Sequence, residues 1–188
     1  MRSGSSPTGP AGTARDLPVE QTTVVRAALV VAVAALLDAV VVPYLTFGLF
    51  LPRLTLIAVV FAAAPLRDLQ AVLLGFFGGV LLDALGGDLF GVGALGGLLA
   101  AGLAARASAV RRKGAERVLL AQVAGVSVAA YGLLGYAARW LAGLSVPPLG
   151  EYAVWGLLPD ALINALIAFL IGGWLLQIIT VKSQHSWE

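Results

Sequence analysis

Four ionisable side chains and one amide interrupt otherwise apolar runs in this 188-residue chain: Asp38, Asp83, Arg139, Asp160 and Asn164. Carboxylates in such settings bind a solute, couple to a proton, or pair with a cation, and they usually face the interior of a helix bundle. Left without a partner about a turn from the membrane surface, each would cost about 1–3 kcal/mol. Pairing Arg139 with Asp83 or Asp38 would offset that cost, so a structural ion pair and a substrate site are the two readings of the cluster. Asp160 has a further one: it follows Pro159 at an expected helix start, where free N–H groups and the helix dipole favour a carboxylate.

The parts of an enzyme are missing. The chain has no cysteine, and its one histidine, His185, is near the C-terminus. There is no G-x-S-x-G, no His-Glu pair on a helix, and no phosphate-cradling loop running into Lys-Ser. Asp38 and Asp83 lie outside the motifs of an intramembrane aspartyl protease. No catalytic residue, cofactor or metal site is expected.

Small residues accompany the polar ones. Ala71, Gly75, Gly79 and Asp83 recur every four residues, as do Gly93, Gly97, Ala101 and Ala105. That spacing keeps each set on one helical face. Gly75, Gly79, Gly93 and Gly97 form two G-x-x-x-G pairs, which let helix backbones approach closely. Asp160, Asn164, Ala168 and Gly172 repeat the spacing near the C-terminus.

The elements that hold these residues are membrane helices. The chain is 60% hydrophobic and 12% charged, with mean hydropathy +0.94. Soluble domains are nearer 45–50% apolar and about 25% charged, and one of this size lacks the interior to hide such an excess. Spans need about 20 apolar residues. They are expected at 24–42, 51–66, 69–85, 89–107, 118–141 and 158–180. The second reaches that length only with its flanks, which include Pro52 and Arg53. Residues 1–22, rich in Gly, Ser, Pro and Thr, read as a disordered cytoplasmic tail without signal-peptide features. Residues 23–180 form the transmembrane domain, and 181–188 a polar cytoplasmic tail.

Six spans put both termini on one side. With the N-terminus cytoplasmic, ten of the twelve basic residues face the cytoplasm, and only Arg53 and Arg139 lie outside. That is the bias expected of cytoplasmic loops. The run 106–117, containing Arg111, Arg112 and Lys113, would also attract anionic lipid at about 1 kcal/mol per basic residue. On this topology the polar cluster falls in the outer third of the bilayer. The net charge of +2 is spread over connecting segments and forms no nucleic-acid surface.

The run Pro52 … Gly75-Phe76 … Gly79 … Asp83 … Gly86-Gly87 … Gly91 … Leu95 resembles the MreD family of rod shape-determining membrane proteins, and Pro159 … Asn164 resembles that family's last helix. Arg53 departs from the family's usual small polar residue after the proline. The resemblance implies an all-α integral membrane protein of six transmembrane helices, similar in fold to the S components of energy-coupling-factor transporters. It implies a non-catalytic scaffold of the bacterial cell-elongation complex in the cytoplasmic membrane. The implied partner is MreC, with RodA, a class B penicillin-binding transpeptidase and MreB reached through the complex, and membrane lipid around it. The alternatives are an S-component-like protein binding a small solute in an outward-facing pocket near Asp83, and a small proton-coupled transporter using Asp38 or Asp83.

Overall fold

The computed structural model describes residues 17–45, 52–86, 89–109 and 116–180. Those residues are helical, with short turns and no strand. In chain order the elements are α1 (Leu17–Val40), α2 (Val42–Leu45), α3 (Leu54–Ala63), α4 (Asp68–Gly86), α5 (Val92–Ala109), α6 (Glu116–Leu141), α7 (Leu149–Tyr152), a π-helical turn (Ala153–Leu157) and α8 (Leu158–Ile179). The first helix begins at Leu17, inside the stretch expected as a tail. Residues 1–16, 46–51, 87–88, 110–115 and 181–188 lie outside the described residues, so the Arg111-Arg112-Lys113 run, Asp88 and the polar C-terminal tail do too.

Among the described residues, five helices are long and apolar enough to cross a membrane: Gln21–Val40, Asp68–Gly86, Val92–Ala109, Glu116–Leu141 and Leu149–Ile179. The second expected span is the exception. At 10 residues, α3 is about 15 Å long at 1.5 Å per residue, half the thickness of a hydrocarbon core. Pro52 and Pro65 bracket it. Every residue from Thr55 to Ala63 is buried, and α1, α4, α5, α6 and α8 all pack against it. A helix apolar on all sides belongs in the middle of a bundle, and α3 is the hub of this one.

The last span also differs from expectation. It starts at Leu149 rather than 158, because α7 and the π turn run without a break into α8. The Leu158 N–H donates to the Ala153 carbonyl across the π turn. Asp160 therefore does not sit at the start of a separate helix, where it was expected to cap.

Apolar side chains cover the outside. Leu29, Val33 and Leu36 of α1 and Leu158, Leu162 and Leu166 of α8 are more than half exposed, as suits a lipid-facing surface. Apolar side chains gain little by leaving lipid for one another, so helix association in a membrane depends on close packing. The α4–α5 pair shows this most clearly. Gly75 and Gly79 face Gly97 and Gly93, and a Cβ on Gly79 would overlap the Gly93 carbonyl, as one on Gly97 would the Gly75 carbonyl. At Gly75 an added Cβ would lie 2.5 Å from the Ala101 Cβ. The two helices run antiparallel with backbones in contact. Gly172 plays a similar part on α8, leaving room for the Phe61 ring of α3.

At one end of the bundle, α6 stops in a left-handed turn. Gly143 has φ +71°, the Leu144 N–H donates to the Arg139 carbonyl at 3.0 Å, and the Gly143 N–H donates to Trp140 at 3.1 Å. This is the Schellman arrangement, in which glycine at C′ avoids the left-handed penalty. It fixes the exit of α6 beside Arg139.

Candidate functional site: buried caps and an end cavity

The structure divides the expected polar cluster in two. Asp83, Asp38 and Asn164 cap helix starts inside the bundle, while Arg139 and Asp160 line a cavity.

Asp83, on the last turns of α4, is 4% exposed. Its Oδ1 accepts the Gly93 N–H at 2.6 Å. Its Oδ2 accepts those of Gly91 at 2.9 Å and Ala94 at 3.0 Å. The remaining N–H of that turn, on Val92, reaches the Leu89 carbonyl at 3.3 Å. All four N–H groups from Gly91 to Ala94 are thus paired. Helix starts always leave such donors without an intrahelical acceptor, and in a membrane interior water does not supply one. Gly91 takes φ +103°, the left-handed conformation glycine tolerates best. Where an ion pair with Arg139 was one of the two readings, the Asp83 carboxyl group caps α5, at the end of the helix where the dipole is positive.

Asp38 and Asn164 do the same for α3. Arg53, at the N-cap position, offers no capping side chain of its own. The Asp38 carboxylate, from α1, accepts the N–H of Leu54 at 2.8 Å and of Thr55 at 2.7 Å. It also accepts the buried Thr55 hydroxyl at 2.5 Å. Asn164, from α8 and 0% exposed, accepts the Arg53 N–H through Oδ1 at 2.7 Å and donates through Nδ2 to the Asp160 carbonyl at 2.8 Å. Two neighbouring helices thus supply the acceptors for one short helix. Among the described residues, no buried side-chain nitrogen or oxygen lacks a hydrogen-bond partner.

A cavity of about 370 Å³ lies at the N-terminal end of α3. Arg53, Arg139 and Asp160 supply its charged lining; Tyr131, Tyr136, Tyr152 and Trp155 supply the aromatic part. Ser145, Val146 and Pro147 of the α6–α7 loop close one side. The Arg53 guanidinium lies over the Tyr131 ring, 5.0 Å from its centroid. Tyr136 and Tyr152 stack at 5.1 Å. Their hydroxyls donate to the Pro147 and Gly132 carbonyls at 2.9 and 3.2 Å. Asp83 is not part of this lining, so the cavity is not the pocket expected around that carboxylate.

Sequence reasoning missed two participants. Thr55 carries no motif that would mark it as a partner of Asp38. Arg117, expected in a cytoplasmic loop, instead braces α6 against α8. Its Nε and Nη2 donate to the Phe169 and Leu170 carbonyls at 2.6 and 2.7 Å, and it lies over the Phe169 ring at 4.9 Å. No signal in the sequence shows either pairing. No metal-binding group of three or more His, Cys, Asp or Glu side chains occurs among the described residues.

Neither a curated protein nor a solved structure matches the chain. Residues 20–182, by contrast, match the family described as rod shape-determining protein MreD. That span takes in the caps, the glycine pair and the cavity. The chain belongs to the MreD family of membrane proteins, whose role is in rod shape determination.

Proposed function

We propose that this protein is a non-catalytic scaffold of the cell-elongation complex. It binds the single transmembrane helix of MreC, and through the complex it acts with RodA, a class B penicillin-binding transpeptidase and MreB to control lateral peptidoglycan synthesis. One observation carries the reading: the carboxylates that a transporter or enzyme would use are committed to backbone N–H groups. Asp83 binds three such groups, and Asp38 binds two and a hydroxyl. Such groups build a rigid bundle and leave recognition to its apolar outer faces.

The orientation is part of the proposal. Arg67, Arg106 and Arg117 lie at the end opposite the cavity, and Arg53 and Arg139 at the cavity end. That asymmetry supports both termini in the cytoplasm and an outward-facing cavity. Likeness to the S-component fold belongs to the same proposal, supported by six alternating segments around an end-on cavity.

The test is co-expression with the MreC of the same host, followed by detergent pull-down. The complex is expected to survive purification. Failure to recover MreC while this protein remains folded and monodisperse would count against the scaffold role.

A further inference from the structure

The end cavity has a chemistry that the caps do not explain. Its lining carries two guanidiniums, Arg53 and Arg139, and one carboxylate, Asp160. Guanidinium is planar and forked, and it suits bidentate contact with a phosphate. Leu89, Val92, Val128 and Leu157 give the same cavity an apolar strip. Tyr152 and Trp155 add amphipathic rings of the kind that settle at headgroup level. Its volume, about 370 Å³, is in the range of small-molecule sites, about 300–1,000 Å³.

The wall is also built in an unusual way. Trp155, Gly156 and Leu157 belong to the π turn, and single π turns within helices are concentrated at functional sites. Gly132 makes room for it: a Cβ there would come within 2.6 Å of the Leu157 Cδ1 and 3.2 Å of the Tyr152 hydroxyl. The stacked Tyr136 and Tyr152 rings are tethered to backbone carbonyls on two different elements. The aromatic wall is therefore held in place before anything binds.

We propose that this cavity binds the phosphate-bearing head of a membrane amphiphile, with Arg53 and Arg139 on the phosphate and the first carbons of the tail along the apolar strip. This inference stands independently of the scaffold role. Free phosphate shares the polar half of the chemistry, and the apolar strip favours the amphiphile.

The full-length protein in detergent is titrated with dioctanoyl phosphatidylglycerol, dioctanoylglycerol and inorganic phosphate, with binding read by calorimetry and native mass spectrometry. One equivalent of the phospholipid is expected to bind saturably, and the uncharged glyceride and inorganic phosphate at least tenfold more weakly. R53Q/R139Q should weaken phospholipid binding at least tenfold, and R106Q, far from the cavity, should not. If the double variant melts early, R139Q alone carries the test, because that side chain is exposed. Equal binding of glyceride and phospholipid, equal binding by the arginine variants and the parent, or inorganic phosphate binding as tightly as the phospholipid would each overturn the proposal.

Discussion

Replacing Asp83 separates a helix cap from an ion pair or a proton site. Asp83→Ala removes the acceptor for three N–H groups and leaves those of Gly93 and Ala94 in buried surroundings. Each unsatisfied buried donor costs about 1–3 kcal/mol. The two losses overlap, and a cap alone is worth about 0.5–2 kcal/mol, so about 3 kcal/mol is expected. Asp83→Asn is milder. Its remaining oxygen, placed at Oδ2, still accepts from Gly91 and Ala94. The Gly93 bond is lost and the amide NH2 then faces that buried N–H, donor to donor, so about 2 kcal/mol is expected. At about 2–4 °C per kcal/mol for chains of this size, D83A should melt about 6–12 °C lower and D83N about 4–8 °C lower. Tryptophan fluorescence of the detergent-purified protein follows the melt, and hydrogen exchange should quicken at the first turn of α5 in D83A. Arg139→Gln should shift the melt by less than about 2 °C, since surface substitutions usually stay within about 0.5 kcal/mol. If D83N proved as damaging as D83A, or R139Q reproduced the loss, Asp83 would be acting through its charge on a partner and the capping account would fail.

Two further predictions use the same melt. Gly97→Ala should destabilise by about 1–3 kcal/mol, because its Cβ would meet the Gly75 carbonyl. On the same helix, Gly102 has nothing within 4 Å of an added Cβ, so Gly102→Ala should be neutral or gain up to about 1 kcal/mol; equal effects would refute the close-approach reading. Asn164→Leu removes the hydrogen bonds that a fully buried amide makes to the Arg53 N–H and the Asp160 carbonyl and should cost about 2 kcal/mol, with faster exchange of the Arg53 amide; unchanged exchange there would show that Asn164 is not the cap.

Much of this architecture was legible because hydropathy, spacing and charge are local properties. The apolar run on either side of 75–95 marks a helical hairpin, and the four-residue spacing of Gly75 and Gly79 puts them on one face whatever that face meets. The resemblance over Pro52–Leu95 led to the family, which the match over residues 20–182 shows. The weakness of the second span was visible too, since residues 51–66 reach full length only with Pro52 and Arg53 included. Its consequence was not visible: a short helix can be central rather than incomplete.

The sequence by itself determined a membrane-embedded helical chain of the MreD family, with small residues on defined faces and a few carboxylates that could not all face lipid. The tertiary structure decided what those carboxylates are for. Asp83 lies eight to eleven residues before the N–H groups it accepts, Asp38 sixteen or seventeen, and Asn164 is 111 residues from Arg53. A cap supplied from another helix leaves no local pattern, because its spacing is set by where three helices meet. The cavity at the N-terminal end of α3 is decided in the same way: Arg53, Val92 of α5, Tyr131 and Arg139 of α6 and Asp160 of α8 are far apart in sequence and share one lining only because their helices pack around the same short hub.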